Sequence, residues 1–183
     1  ISVYQFSDDS LMLHNDLYQI NMAESYWSDG IHERISVFDL YFRSMPFNSG
    51  YAVFNGLKRV IDFIEKFGFI DEDIQYLKSI GYKDDFLNYL KDLKFTGNIK
   101  SMQEGELCFG NEPLLRVEAP LIQAQLIETI LLNIINFHTL IATKASRIRQ
   151  IALNDTLMEF GTRRGQEIDA ALWGARATFI GGF

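Results

Sequence analysis

The chain has 183 residues, of which 48% are hydrophobic and 22% charged, the composition of a soluble globular protein with enough apolar residues for a core. The formal net charge of -7 and pI of 4.9 exclude a general attraction for nucleic acid or anionic membrane, so any bound phosphate must be held by a few arginines or backbone amides. The single cysteine, Cys108, excludes an internal disulfide and a zinc site built from several cysteines.

The sequence carries no targeting signal that we can identify. Residues 1–10 include two acids and lack the basic segment that begins a secretory signal peptide. The longest apolar stretch, residues 131–142, is interrupted by polar side chains and is too short and too polar to span a bilayer. Since a lone thiol also suits a reducing compartment, we expect a cytoplasmic protein.

The first half of the chain alternates helix and strand patterns. Apolar residues recur at helical spacing over residues 16–27, and β-branched and aromatic residues predict a strand over 35–42. A turn follows at 46–50. Helices are then predicted over residues 53–67, 71–79 and 83–91.

Three short strands are predicted next, over residues 98–102, 107–109 and 114–118. A helix runs from residue 121 to about 152, with a break allowed near Phe137 and His138. It is followed by a strand at 156–160, a helix at 167–176 and a terminal strand. The later order favours a parallel sheet with crossover helices. We therefore predict an α/β fold, with an α+β N-terminal domain at residues 1–120 and the first strands and helices of an incomplete α/β barrel at 121–183. Because the chain stops in an apolar run with two glycines, we expect the barrel to be truncated.

The strongest chemical signal is the segment MEFGTRRGQE at residues 158–167, where two glycines bracket Arg163 and Arg164 between a predicted strand and a helix. Ligands collect beyond the carboxyl ends of strands in such folds, and an arginine binds carboxylate or phosphate through two parallel hydrogen bonds. Phe160 beside the arginines could stack on a flat ring. The alternative is a surface turn in which the arginines pair with Glu159 and Glu167.

Two weaker signals lie earlier in the chain. Asp16 and Tyr18 occupy the first turn of an amphipathic helix, where an acid near the N-cap is an ordinary structural feature. Arg43 leaves a predicted strand at a proline turn, where it could face a phosphate or simply be solvated.

Five motifs in this order resemble the N-terminal portion of bacterial nicotinate phosphoribosyltransferases, over residues 13–183. They are DLYQ at 16–19, FD through Arg43 to PF at 38–47, GYAVF with GL at 50–57, ETILLNIINF at 128–137, and EFGTRR at 159–164. The resemblance implies a transferase of NAD salvage that joins nicotinate to phosphoribosyl pyrophosphate with Mg²⁺ and ATP hydrolysis. It also implies a homodimer with shared active sites, and no activity in the 183 residues alone.

The resemblance also implies roles for individual residues. Phe160 stacks on one face of nicotinate, and Tyr18 of the partner subunit covers the other face. Arg163 contacts the substrate carboxylate or phosphates, and it and Tyr18 are the expected catalytic residues. Arg43, also supplied by the partner, contacts phosphates. The remaining binding residues are Gly161, Thr162 and Arg164, which shape the loop, and Asp16, which supports Tyr18 or forms a polar wall.

Some positions depart from the family pattern. Asn15 stands where relatives commonly carry Thr, and Ser44 and Met45 replace a basic residue, which leaves one fewer cation for phosphate. The histidine that relatives phosphorylate is expected beyond residue 183, and His138 is interpreted as a hydrogen-bonded core residue.

Two alternatives remain. A nicotinamide-specific relative is disfavoured because the loop after Phe160 and Gly161 then tends to carry one arginine, and the quinolinate enzyme fits less well. The other alternative is a non-catalytic binding or assembly module. As an isolated fragment, the chain is expected to aggregate through its apolar helices.

Overall fold

The computed structural model describes residues 10–183. Most predicted elements of the first half form close to their predicted positions, but the helix predicted over 53–67 begins only at Leu57, because Ala52 and Val53 pair in a sheet instead. The helices are α1 (Leu17–Ser28), α2 (Leu57–Glu65), α3 (Asp71–Ser79), α4 (Asp84–Asp92), α5 (Leu121–Ala152) and α6 (Ile168–Ile180). The strands are β1 (Ile35–Leu40), β2 (Ala52–Val53), β3 (Asn98–Ser101), β4 (Leu107–Cys108) and β5 (Leu115–Pro120). Single 3₁₀ turns occur at Pro46–Asn48 and Thr162–Arg164.

The strands form two small sheets. One has the strand order β1-β5-β3, and the other pairs β2 with β4 in antiparallel register, with Ala52 opposite Cys108. This mixture of helices and strands confirms the α/β fold class. The predicted domain boundary falls where β5 ends and α5 begins, but a separate barrel domain at residues 121–183 stays a prediction.

The chain divides into two compact units whose residues interleave along the sequence. The first unit comprises the residues up to Phe38 with Ile61–Ile99 and Val117–Leu131. The second comprises Asp39–Val60, Lys100–Arg116 and Leu132–Phe183. Several elements, including α2 and α5, contribute residues to both.

In the first unit, helix α1 is fixed by aromatic packing and by polar contacts with the start of α5. The ring of Trp27 lies 5.7 Å from Phe86 and 6.3 Å from Tyr89, both on α4. Asn15 Nδ2 donates a hydrogen bond of 2.9 Å to the carbonyl of Leu126. These contacts fix the helix that carries the exposed Tyr18.

In the second unit, the later half of α5 is held against the chain at residues 53–55 by buried threonines. The hydroxyl of Thr143 accepts a 2.9 Å hydrogen bond from the amide of Val53. The hydroxyl of Thr139 bonds both the amide and the carbonyl of Asn55, at 3.2 Å each. Because each hydroxyl satisfies a buried backbone group, the helix has one defined rotation about its axis.

The predicted strand at residues 156–160 is wrong. The segment has no regular secondary structure, because a strand needs a hydrogen-bonded neighbour and none lies beside it among the described residues. Phe160 and Met158 are largely exposed there.

The predicted terminal strand is also wrong, because α6 continues to Ile180. Alanines at positions 170, 171, 175 and 177 favour the helix more strongly than the final apolar residues favour a strand. Gly181 and Gly182 then end it, the amide of Gly181 donating to Ala177 and Gly182 adopting a φ of +103°. The allowed break near Phe137 does not occur, since α5 is continuous.

Helix α5 extends beyond the apolar stretch at residues 131–142 in both directions. Over its 32 residues it is long and apolar enough to cross a bilayer by length and composition, yet 56% of its most apolar window is buried inside the protein. The core helix of a soluble protein meets the same criteria. The prediction about a signal peptide falls on residues 1–10, of which only Ser10 is described.

Candidate active site

A cavity of about 520 Å³ in the second unit brings part of the predicted site together. Its walls are one face of α5, one face of α6 and the loop between these helices. The loop contributes Phe160, Gly161 and Arg164, three of the residues singled out from the sequence. The α6 face contributes small residues, among them Ala171 and Gly174, and their small size leaves room for the cavity.

The loop is shaped by local hydrogen bonds. The carboxylate of Glu159 accepts from the amide of Gly161. The carbonyl of Gly161 accepts from the amides of Arg164 at 2.7 Å and Gly165 at 2.9 Å, which closes the 3₁₀ turn. A Cβ atom at Gly165 would lie 3.1–3.2 Å from Ala171, so the absence of a side chain lets the loop pack closely on α6.

Neither loop arginine forms an ion pair within residues 10–183. The alternative interpretation paired these arginines with Glu159 and Glu167. Both carboxylates instead accept hydrogen bonds from backbone amides. Glu159 accepts from Gly161, and Glu167 accepts from Asp169 at 3.4 Å. The side chains of both arginines are exposed. The loop therefore presents two cations without a protein counter-ion in the described part of the chain.

The predicted residues do not all line the cavity. Arg164 does, whereas Thr162 and Arg163 are exposed on the same turn and are not among the described lining residues. Arg43 is exposed in the second unit, just after β1, and does not line the cavity either. The backbone beside it is fixed, because the carbonyl of Phe42 accepts a 2.9 Å hydrogen bond from Asn111.

Asp16 and Tyr18 lie in the first unit. Asp16 is at the N-cap of α1, where its carbonyl accepts from the amide of Gln19 but its side chain makes no capping bond. Tyr18 is 54% exposed. The buried side chain of Gln19 accepts a hydrogen bond from Thr129 on α5. Tyr18 thus projects from a turn that is anchored by the residue next to it.

A second polar cluster in the same unit as the cavity was not predicted. Arg176 on α6 donates two hydrogen bonds to Glu104, of 2.6 and 3.1 Å, and a third of 3.3 Å to the buried side-chain oxygen of Asn55. Glu104 also accepts from the amides of Gly56 at 3.0 Å and Lys58 at 3.3 Å. This carboxylate therefore caps the N-terminus of α2 and holds α6 at the same time.

Electrostatics keep this carboxylate charged. Burial alone would raise the pKa of Glu104, but the hydrogen bonds from Arg176 and from the two amides outweigh burial and lower it overall. Glu104 and Arg176 are separated by 72 positions in the sequence. No local pattern marks them, so only the fold could reveal the cluster.

His138 lies beside this cluster and is 1% exposed. Its Nδ1 is 2.7 Å from the carbonyl of Ile134, and its ring packs edge-on at 5.5 Å from Trp173. Its Nε2 has no hydrogen-bond partner among the described residues. The interpretation of His138 as a hydrogen-bonded core residue is confirmed.

The described residues offer no ready metal site. No group of three or more His, Cys, Asp or Glu side chains within residues 10–183 could hold a metal ion. Mg²⁺, which the resemblance implies, is therefore assigned no ligand here.

Comparison with known proteins points to one family. The family described as nicotinate phosphoribosyltransferase (NAPRTase) N-terminal domain matches residues 13–136. The nicotinate phosphoribosyltransferase of Bacillus subtilis is 61% identical over 181 residues, which are 98% of this chain and 37% of that protein. Nicotinate phosphoribosyltransferase 2 of Arabidopsis thaliana is 42% identical over 175 residues, covering 93% of this chain and 31% of that protein.

A solved structure gives the same result. The crystal structure of human nicotinic acid phosphoribosyltransferase matches with a TM-score of 0.86 and 36% identity, covering 92% of this chain and 35% of that chain. The chain spans about a third of the length of the relatives it matches.

Proposed function

Because the chain belongs to the nicotinate phosphoribosyltransferase family, we propose that the protein joins nicotinate to phosphoribosyl pyrophosphate, forming nicotinate mononucleotide and pyrophosphate. The observation that carries the proposal is the cavity, where an aromatic ring, Phe160, and a cation that has no counter-ion within residues 10–183, Arg164, lie on one loop. A flat aromatic acid is a ligand that such a pair can bind through its ring and its carboxylate.

The reaction requires positioning and charge more than proton transfer. The lone pair of the pyridine nitrogen forms the bond to C1 of the ribose, and pyrophosphate leaves with the electron pair of the broken C–O bond. Negative charge therefore grows on the leaving group while the sugar becomes positive. Fixed cations stabilise the first change, and a stacked ring keeps the nitrogen in line with C1. No general base is needed.

We assign the roles that the resemblance implies to this chain's residues. Phe160 stacks on nicotinate, and Arg163 contacts its carboxylate or the neighbouring phosphates. Arg164 shapes the loop, and because it lines the cavity we add to this role a contact with the same groups. Gly161 and Thr162 set the shape of the loop. The exposure of both arginines supports these roles, because their guanidinium groups are accessible to a ligand.

The remaining contacts are proposed to come from a second copy of the chain. Tyr18 of one subunit covers the other face of the ring, with Asp16 supporting it, and Arg43 reaches a phosphate. The exposure of these three side chains supports the proposal, because each of them is accessible to a partner subunit. We further propose a cytoplasmic homodimer that requires Mg²⁺ and uses ATP as a co-substrate.

The proposal is tested by product formation with the full-length protein. Nicotinate, phosphoribosyl pyrophosphate, Mg²⁺ and ATP are supplied, and nicotinate mononucleotide and pyrophosphate are quantified. We expect Arg163→Ala to abolish product formation, because the transition state loses a cation that stabilises its growing negative charge. Lys100→Met, which removes an exposed cation of the same unit away from the cavity, serves as the control. An inactive wild-type protein, or an Arg163→Ala variant as active as Lys100→Met, would contradict the proposal.

A further inference from the structure

The cavity contains a cation that lies outside every motif described above, Lys144 on α5. We propose that Lys144 is an additional substrate-binding cation, which holds an oxyanion of the substrate, either the carboxylate of nicotinate or a phosphate of phosphoribosyl pyrophosphate. The inference rests on the proposed function and adds to it a residue that determines affinity for the anionic substrate.

The helical repeat places Lys144 on the cavity face of α5. The lining residues of this helix are Phe137, Ile141, Lys144, Ala145 and Ile148, which follow the spacing of three and four residues that defines one helix face. The buried threonines at 139 and 143 fix the rotation of the helix, because they bond the chain at Asn55 and Val53. Lys144 is therefore a cation on a helix face that is otherwise apolar, and the packing of α5 places it on the side of the cavity.

The charges around the cavity leave Lys144 available for a ligand. Among the described lining residues the cations are Lys144 and Arg164, and the acid is Glu159. The carboxylate of Glu159 accepts the amide hydrogen of Gly161, and the described part of the chain forms no ion pair with Lys144. The two cations thus exceed the one acid in a partly apolar cavity, where an anion is bound more strongly than on an open surface.

The two cations are complementary in kind. The planar guanidinium of Arg164 can grip an oxyanion with two parallel hydrogen bonds, while the ammonium of Lys144 is a compact charge on a flexible stem. They approach from different walls, the loop and α5. With Phe160 and Phe137 also lining the cavity, the set can bind a ligand that combines an aromatic ring with negative charge.

The test compares Lys144→Met, Lys144→Arg and the control Lys100→Met in the full-length protein. Met keeps the length and apolar stem of lysine but lacks the charge, and Lys144 is exposed, so the fold should tolerate the change. KM is measured separately for nicotinate and for phosphoribosyl pyrophosphate, with the unfolding midpoint of each variant as a check on folding. Losing one charge-assisted hydrogen bond should raise KM about ten- to a hundredfold. Lys144→Arg should recover much of the loss.

The two sources of the oxyanion give different results. A rise confined to nicotinate places Lys144 on the carboxylate, and a rise confined to phosphoribosyl pyrophosphate places it on a phosphate. Unchanged KM values for both substrates in an active Lys144→Met variant would overturn the inference and leave the proposed function standing. A wild-type protein that forms no nicotinate mononucleotide would remove the proposed function, and the inference with it.

Discussion

At the scale of single residues, His138 shows how burial sets a charge state. Burial lowers the pKa of its imidazole, and the hydrogen bond to the carbonyl of Ile134 acts in the opposite direction. Of the nearby charges, Arg59 lowers the pKa most, Glu104 raises it, and Arg176 lowers it by a smaller amount. In an unfolded chain the pKa of histidine is about 6.5. As the pH falls below that value, the unfolded state binds the proton first, so the folded state loses stability.

We therefore predict that the free energy of unfolding falls from pH 7 to pH 5 more steeply in the wild-type protein than in His138→Gln. The variant is also expected to be less stable at pH 7, because it loses ring packing against Trp173. Urea titrations followed by tryptophan fluorescence measure both quantities. His14→Gln, which removes an exposed imidazole, is the matched control. Equal slopes in the wild-type protein and His138→Gln would contradict the argument.

Phe160 gives a second prediction at this scale. The ring is 78% exposed, so Phe160→Leu should leave the unfolding midpoint unchanged while it weakens stacking on the substrate. Stacking beyond simple burial is worth about 0.5–1.5 kcal/mol, which corresponds to a rise of about two- to tenfold in KM for nicotinate. Steady-state kinetics measure this KM, and Phe109→Leu, which changes another exposed phenylalanine, is the control. An unchanged KM would show that the ring does not stack.

The cavity also shows which of its lining residues the sequence could predict. Phe160 and Arg164 were predicted because glycines, arginines and an aromatic ring lie together in one short segment. Lys144 was missed, because a single lysine on a helix is usually solvated, and its place in the cavity depends on where α6 packs. Asn55, Glu104 and Arg176 were missed because only tertiary structure brings them together.

At the scale of elements, Glu104 connects two helices. It lies between β3 and β4, pairs with Arg176 on α6, and caps the N-terminus of α2. Glu104 is 14% and Arg176 34% exposed, so solvent screens part of the interaction. We predict that Arg176→Met destabilises the protein by about 1–3 kcal/mol, because the carboxylate loses two charge-assisted hydrogen bonds. Urea unfolding measures the change.

The control for this prediction is Arg116→Met, which breaks a bidentate pair with Asp39 at the surface. A solvent-exposed pair is worth about 0–1 kcal/mol, so this variant should lose less stability. A loss at Arg176 no larger than the loss at Arg116 would show that the pair does not hold the two helices.

Helices were predicted more successfully than strands, for a physical reason. The bounds of α3 match the prediction and those of α1 and α4 differ by one residue, because a helix bonds within its own segment. A strand depends on a partner elsewhere. The segment at 156–160 has a strand-like sequence but no partner among the described residues. Strand β2, which was not predicted and overlaps the start of a predicted helix at Val53, pairs with β4.

At the scale of the whole molecule, the proposed function places residues from two copies of the chain in each active site. We predict that Tyr18→Ala and Arg163→Ala are each nearly inactive, and that refolding them together restores activity. With random pairing, about half of the dimers contain one copy of each variant. In such a mixed dimer one of the two sites has both an intact Tyr18 and an intact Arg163. About a quarter of all sites, and therefore about a quarter of wild-type activity, should return. No recovery in a sample that is dimeric by light scattering would place both residues in the same subunit's site.

We propose that the protein acts on nicotinate rather than nicotinamide, and a competition assay measures this preference. The full-length protein is given equal amounts of nicotinate and nicotinamide with phosphoribosyl pyrophosphate, Mg²⁺ and ATP, and both mononucleotides are quantified by mass spectrometry. We predict nicotinate mononucleotide with pyrophosphate in equal amount and little of the amide product, because Arg163, Arg164 and Lys144 favour a carboxylate. A preference for nicotinamide, or no mononucleotide at all, would contradict it.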